Sequence, residues 1–362
     1  MRIAVIGTGR IGAFHAATLA RHADVAEVVL ADASPARARE VAGRIGAVAY
    51  EGPEEVFARG ADAVVIAAPT GAHPSLVVRA AECGMAAFCE KPVGLDWPGT
   101  LDALWRSRKA GAVLQLGFMR RFDAGYVAAR EAVRSGRLGR VHTARAVTSG
   151  AGAPPAGYLP LSGGLIADCM IHDFDALAWV TGQPVVEAYA VGSDAGAPEF
   201  RAAGDVDTAA AVLTLADGTL ATVTATRVNG AGYDVRLELA GERDQIAVGT
   251  GPRTPLRSVE PEPVEFPGPP WRDFLERFGA AYEAEMDAFV RVVRGELANP
   301  CPGFAALEAQ YVAEACALSR RVRRPVRIAE AAHFVGAWRW QGPGKFPADL
   351  VALAPERWPE AP

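Results

Sequence analysis

The residues best suited to chemistry lie in a few short clusters. Near the N-terminus, Gly7-Thr8-Gly9-Arg10-Ile11-Gly12 follows the β-branched run Ile3–Ile6 and opens a helical pattern. Glycines at those positions allow a tight turn, a close backbone approach to a pyrophosphate and close helix–strand packing. The helix N-terminus supplies N–H donors and positive potential. Asp32 closes the next apolar run about 20 residues on, where a carboxylate would bind a ribose diol. A carboxylate there repels a 2′-phosphate, and Ala33-Ser34-Pro35 rather than an arginine follows, so NAD is expected in preference to NADP. Glycine makes up 38 of 362 residues, so strand, loop, helix and acid together carry this reading, not the glycines alone.

Two further strand ends carry polar side chains. Ala67-Ala68-Pro69-Thr70, with His73 just beyond, falls where such sheets bind ligands; it also reads as a plain turn with Thr70 as an N-cap. Glu90-Lys91-Pro92 closes another run, and a lysine at the carboxyl end of a core strand points either into the cofactor crevice or into solvent.

The strongest local cluster is Asp168-Cys169-Met170-Ile171-His172-Asp173-Phe174-Asp175. On a helix, Asp168, His172 and Asp175 share a face, while Ile166, Met170, Phe174 and Leu177 line an adjacent apolar one. A histidine flanked by carboxylates can be held in one tautomer and act as a general base; a structural His–Asp pair is the plainer alternative. In Gly117-Phe118-Met119-Arg120-Arg121-Phe122-Asp123, Arg121 is expected in an interdomain salt bridge, and Arg120 could reach substrate oxygens or the cofactor. No histidine or cysteine falls at a metal-ligand spacing, so no metal is expected.

These clusters need two kinds of scaffold. Ile3–Ile6, Val25–Ala31, Ala63–Ala67, Ala86–Cys89 and Val113–Leu116 read as buried strands alternating with helices Ile11–Arg21, Pro35–Ile45, Pro74–Cys83 and Trp97–Ala110, which predicts βαβ units and a parallel sheet. Beyond about Phe122 the rhythm changes. A helix near Gly125–Ser135 precedes a strand at Val141–Thr148, the Gly/Pro-rich loop Gly150–Pro160 and a helix at Gly164–Thr181. Alternating runs Val185–Val191, Thr208–Leu215, Leu220–Val228, Asp234–Ala240 and Gln245–Val248 then predict an antiparallel sheet, with a hairpin turn at Asp217-Gly218. Helices at Asp273–Arg294 and Phe304–Arg321 complete it. The expected fold is thus α/β plus α+β: a dinucleotide-binding domain over 1–120, a substrate and oligomerisation domain over 121–330 with an open, mainly antiparallel sheet, and a tail at 331–362 without clear periodicity that could serve as an interaction arm.

Composition narrows the partners. Hydrophobic residues make up 50% and charged residues 22%, which fits a globular chain. Lys+Arg 37 against Asp+Glu 42 gives a net charge of −5 with no basic block, which argues against a nucleic-acid or anionic-membrane footprint and for a small molecule. Five scattered cysteines without a C-x-x-C pair fit a reducing compartment, and no apolar run approaches a membrane span or a signal peptide, so a cytoplasmic protein is expected.

Taken in order, the glycine loop with His15 shortly after, Ala68-Pro69-Thr70, Glu90-Lys91-Pro92, Gly117–Asp123 and the Asp168-x-x-x-His172 helix resemble the glucose–fructose oxidoreductase / inositol dehydrogenase family over about residues 1–330. Met119-Arg120-Arg121 and Gly232-Tyr233-Asp234 resemble its inositol 2-dehydrogenase group most. The resemblance implies a Rossmann domain followed by an open sheet domain, and a catalytic triad of Lys91, Asp168 and His172. It places Gly7, Thr8, Gly9, Arg10, Ile11, Gly12, Asp32, Ala68, Pro69, Thr70, His73, Glu90, Lys91 and Arg120 at NAD. Substrate contacts are expected from Lys91, Met119, Arg120, Asp168, His172, Asp175 and Tyr233. The implied reaction is hydride transfer between NAD and a ring secondary alcohol of a cyclitol or sugar, leaving open which of Lys91 and His172 is the ultimate base. A pyranose, anhydrosugar or aminocyclitol-pathway dehydrogenase of the same family, or a non-catalytic NAD(P)-binding regulator, are the rival readings. The family also implies a homodimer or homotetramer through the second sheet.

Overall fold

The computed structural model describes residues 1–262 and 265–339. Contacts divide them into two units, one of Met1–Phe122 with Ala280–Ala306, the other of Asp123–Gly279 with Leu307–Trp338. In the first, strands β1 (Arg2–Ile6), β2 (Glu27–Ala31), β3 (Val48–Ala49), β4 (Ala63–Ile66), β5 (Ala86–Glu90) and β6 (Leu114–Gly117) alternate with helices α1 (Arg10–Ala20), α2 (Pro35–Ile45), α3 (Pro53–Arg59), α4 (His73–Glu82) and α5 (Trp97–Lys109). The sheet is parallel, in the order β3-β2-β1-β4-β5-β6. Its chain order reverses between β1 and β4, and ligands of such sheets bind at the carboxyl ends of the strands beside that point. The expected strands and helices are all present. The short β3 and α3 were not foreseen, because a two-residue strand carries no readable period.

A parallel sheet needs cover on both faces, and β1 and β4 are accordingly near-continuous apolar runs. Ile3, Val5, Leu30, Val65 and Phe88 pack with Ala16 and Leu19 of α1 and with Met286, Phe289 and Val290 of a much later helix. Residues 280–306, which the sequence reading assigns to the second domain, therefore cluster with the first. The Leu116 N–H donates to the Cys301 carbonyl at 2.8 Å, and Asn299 Nδ2 donates to the Leu114 carbonyl at 2.8 Å, so this returning segment also hydrogen-bonds to β6.

The second unit is built on β7 (Val141–Ser149), β8 (Val185–Ser193), β9 (Thr208–Leu215), β10 (Leu220–Thr226), β11 (Asp234–Gly241), β12 (Gln245–Val248) and β13 (Val326–Arg327), in the order β12-β11-β7-β10-β9-β8-β13. It is mainly antiparallel, as expected, with one parallel pair between β7 and β10. The Asp217-Gly218 hairpin is present: Gly218 has φ 84°, and Asp217 Oδ1 accepts the Thr219 N–H at 3.0 Å. Helices α6 (Ala124–Arg134), α7 (Ile171–Thr181), α8 (Pro198–Ala202), α9 (Phe274–Val293), α10 (Gly303–Val322) and α11 (Ile328–Arg339) complete the element list, α9 running from the second unit into the first. The start of the expected aperiodic tail is thus helical as far as Arg339; the rest of it, 340–362, lies outside the described residues. Among the described residues, no helix is long and apolar enough to cross a membrane.

Phe289 is fully buried in the first unit's core. Phe289→Ala is expected to cost about 3–5 kcal/mol in urea unfolding followed by circular dichroism. A loss below about 1 kcal/mol would show that the returning helix is not part of that core.

Candidate active site

The glycine loop joins β1 to α1 at the carboxyl edge of the parallel sheet. Gly7 has φ 95°, and a Cβ there would lie 2.5 Å from the Ala67 backbone and the Ala68 nitrogen. A Cβ on Gly12 would lie 1.9 Å from the Gly7 carbonyl oxygen, so α1 can approach the loop only without a side chain. Gly9 differs: nothing lies within 4 Å of its Cβ position, and it occupies the N-cap of α1 with no side-chain cap. Open space in front of an uncapped helix N-terminus is what a pyrophosphate requires. Arg10 beside it is exposed and Ile11 half-buried.

Asp32, just past β2, is 6% exposed. Its Oδ2 accepts the Thr8 N–H at 2.7 Å and the Thr8 hydroxyl at 2.9 Å, while Oδ1 accepts the Ser34 N–H at 2.8 Å. Burial alone would push this carboxyl up. The Ser34 and Thr8 hydrogen bonds, helped by Arg37 at 3.9 Å, outweigh it and hold the group below its ordinary value. Asp32 is therefore an anion, and Oδ1 retains a lone pair for a ribose hydroxyl.

Past β4, Ala68 and Pro69 lead into a 3₁₀ turn at Thr70–Ala72. Thr70 does not cap α4, which starts at His73 with Ala72 in the N-cap position. His73 is buried, with Nδ1 at 2.9 Å from the Pro92 carbonyl and Nε2 at 2.8 Å from that of Ala68. Burial lowers its pKa, partly offset by the two carbonyls. The ring thus sits between the carbonyls of two strand-end loops, and in its neutral form it donates to one of them.

Glu90 ends β5, and Lys91 follows it directly. Glu90 Oε1 meets the buried His15 Nε2 at 2.8 Å, and the Glu285 carboxylate completes a group whose ligand-type atoms lie within 4.8 Å of one another. Three residues this far apart in sequence show no spacing signal. Two donors on a tetrahedral zinc stand about 3.3 Å apart, so the shorter His15–Glu90 contact reads as a hydrogen-bonded clamp on the strand end that carries Lys91. Met119 and Arg120, in the 3₁₀ turn after β6, are both buried. Arg121 donates to the Pro300 carbonyl at 3.2 Å inside the same unit.

In the second unit, Gly163 and Gly164 with φ 79° and 89° lead into a π-helical turn, Ile166–Met170, before α7. The expected continuous α-helix is thus widened at its start, and such turns are frequent at functional sites. Ile166, Met170, Phe174 and Leu177 are all buried, so the predicted apolar anchor holds. Asp168 and His172 are half-buried. Asp175, three residues after His172 in α7, is 3% exposed. Tyr233 is half-buried, its N–H donating to the Trp271 carbonyl at 2.8 Å.

Asp168 has partners the sequence reading did not foresee. Its Oδ2 accepts from Arg227 Nη1 at 2.7 Å and its Oδ1 from the Tyr158 hydroxyl at 3.1 Å. The Arg227 side chain is only 6% exposed and also lies 3.3 Å from Cys169 Sγ and 3.8 Å from Asp205. Burial would lower the guanidinium's pKa, but Cys169, Asp168 and Asp205 more than offset it and raise it, so the cation is permanent. Partial burial and the Asp168 charge likewise raise the Tyr158 phenol, which stays a donor. A signal for Arg227 did exist. Ala221, Val223 and Ala225 of β10 are the buried set, and a period of two carries that set to residue 227.

The contrast between two glycines is testable. Gly9→Ala is expected to leave thermal stability within about 2 °C of the parent and to weaken NAD binding at least about tenfold, read by fluorescence titration. Gly12→Ala, whose Cβ has no room, is expected to lower the melting temperature by about 5 °C or more. Unchanged NAD affinity in Gly9→Ala would remove the pyrophosphate assignment.

Comparison with known proteins agrees with this geometry. Residues 1–118 match a family model described as an oxidoreductase family with an NAD-binding Rossmann fold, and residues 126–247 match the GFO/IDH/MocA C-terminal domain. A myo-inositol dehydrogenase of Streptomyces leeuwenhoekii is 38% identical over 308 residues, 84% of this chain and 91% of its own length. The NAD(+)-dependent scyllo-inositol 2-dehydrogenase of Bacillus subtilis is 34% identical over 297 residues, 81% of this chain and 86% of its own. Among solved structures, a myo-inositol dehydrogenase from Corynebacterium glutamicum is similar with a TM-score of 0.82 at 33% identity, covering 90% of this chain and 98% of that one. The chain belongs to the Gfo/Idh/MocA oxidoreductases, a family whose N-terminal domain is an NAD-binding Rossmann fold.

Proposed function

We propose that this protein is an NAD-dependent cyclitol dehydrogenase, oxidising one ring secondary alcohol of an inositol to the ketone. The observation that carries the reading is an Asp168 carboxylate locked by Arg227 and Tyr158 four residues before His172. Support comes from relatives along most of the chain that are inositol dehydrogenases. One of them, from Lactobacillus casei, was solved with NAD(H) and scyllo-inositol bound; it is 26% identical, with a TM-score of 0.81 over 91% of this chain and 99% of its own.

Bound NAD supplies the hydride acceptor. The backbone of the glycine loop and the N-terminus of α1 hold its pyrophosphate, and Asp32 Oδ1 accepts from a ribose hydroxyl. His172 Nδ1 is buried, so the ring meets substrate through Nε2, which takes the proton of the reacting hydroxyl as hydride leaves the same carbon. Lys91 Nζ donates to that oxygen and stabilises its developing negative charge. Asp168, held by Arg227 and Tyr158, orients His172; Tyr233 and Arg120 contribute to the polar environment of the other ring hydroxyls. A site that binds hydroxyls in this way rejects analogues that lack them. Self-association through the outward face of the second sheet, where Val212 and Leu220 are exposed, completes the proposal.

NADH absorbance against a panel of inositols, pyranoses and anhydrosugars, with NADP in parallel, is the direct test. Turnover of one cyclitol with NAD is expected; turnover of a pyranose alone would reassign the substrate, and tight NAD binding without any turnover would point to a regulator. Lys91→Ala and His172→Ala are each expected to lower kcat by about 100-fold or more while NAD still binds. Arg227→Gln strips Asp168 and Asp205 of their cation, and a fall in kcat of about 10–100-fold with KM for NAD unchanged is expected. Arg227→Lys keeps the charge and should restore part of that loss, so equal losses in both variants would indicate a purely packing role for Arg227.

A further inference from the structure

The end of α10 reads Ser319-Arg320-Arg321-Val322-Arg323, an unusual density of guanidinium groups at one helix terminus. Ser319 is fully buried: its hydroxyl accepts the Ala190 N–H of β8 at 3.0 Å and donates to the Arg324 carbonyl at 2.6 Å. That bond fixes the arginines against β8. The Arg323 N–H closes the helix on the Ser319 carbonyl at 2.7 Å with φ 55°, the one positive φ outside glycine among the described residues. Glycine is the least costly residue at this left-handed position, so an arginine there holds a side chain at a backbone cost.

Arg320, Arg321 and Arg323, with Arg201 from α8, line a cavity of about 540 Å³ against Tyr189 and Val191 of β8. Arg201 is occupied by Asp194 at 2.9 Å, and Arg321 lies 3.6 Å from Glu314. Arg320 and Arg323 form no side-chain hydrogen bond or ion pair among the described residues. The cavity's other carboxylate, Asp205, accepts the Leu165 N–H at 3.0 Å and lies 3.8 Å from Arg227. Asp194 also feels the charge of Arg320, so four guanidinium groups face two carboxylates on the wall, and a cavity of small-molecule size carries an excess of positive charge. Guanidinium pairs match the oxygens of phosphate, and a tyrosine ring with a valine beside it accepts the C–H face of a sugar.

We propose that this cavity is a second ligand site, which takes a small phosphate monoester with its phosphate on Arg320 and Arg323 and its carbon skeleton on Tyr189 and Val191. It lies wholly within the second unit and uses no residue of the dinucleotide loop.

The test is a calorimetric titration of the full chain, saturated with NAD so that the glycine loop is filled, with glucose 6-phosphate and with inorganic phosphate. Saturable binding of the sugar phosphate, tighter than that of phosphate, is expected. In Arg320→Gln/Arg323→Gln it should weaken at least about tenfold, with NAD affinity unchanged. Arg323→Gly guards against misfolding: its melting temperature should equal or exceed that of the parent while sugar-phosphate binding still weakens. Equal binding by the parent and the double variant, or no saturable binding below about 10 mM, overturns the proposal. These readouts need no cyclitol turnover, so they stand or fall apart from the catalytic reading.

Discussion

The first unit depends on a contact that tolerates no side chain. At Gly12 a Cβ would stand 1.9 Å from the Gly7 carbonyl oxygen, and at Gly7 it would stand 2.5 Å from the backbone that follows β4. This approach lets α1 rise directly from the end of β1 and aim its N-terminus over the carboxyl edge of the sheet. The other polar groups of this half then follow from topology. Asp32, Thr70 and Lys91 each lie just past the carboxyl end of a parallel strand, so the sheet order alone brings them to one edge. The loop is also tied sideways, because Thr8 gives both its N–H and its hydroxyl to Asp32.

The second unit solves a different problem, that of keeping charge in a half-buried place. A carboxylate withdrawn from water needs a partner, and Asp168 has two in Arg227 and Tyr158. Removing one member of such a network costs more than the network contributes, since the charge left behind is still desolvated. Asp205 gives Arg227 a second carboxylate and caps the Leu165 N–H where the π turn begins. One guanidinium thereby links the end of β10, the turn that carries Asp168 and the loop after α8.

Much of this was legible in the sequence where the signal is local. The parallel sheet follows from apolar runs alternating with helix-length patterns, and the hairpin from Asp217-Gly218. The boundary between units was less legible. Met286, Phe289 and Val290 look like the apolar face of any amphipathic helix, and nothing local says that Ile3 and Phe88 are what they cover. Helix α8, of five residues, and strand β13, of two, are too short to carry a period.

The site shows the same division. Spacing placed Asp168 and His172 together, and the structure keeps both half-buried on one turn of chain. It also put Asp175 on their face, and Asp175 follows His172 by three residues within α7, on the same side of that helix, though almost fully buried. Asp168 stands before α7, in the Ile166–Met170 turn that i→i+5 bonding widens, so angular positions do not transfer from Asp168 to α7. Arg227 was hidden for a different reason. The expected strand Leu220–Val228 runs through Arg227, but an arginine at a strand end ordinarily points into solvent. The alternation of buried Ala221, Val223 and Ala225 nonetheless continues inward to residue 227, and a cation on that inward step calls for a buried anion opposite. The inward phase of a strand, followed one residue past its apolar end, was the missing signal for what holds Asp168.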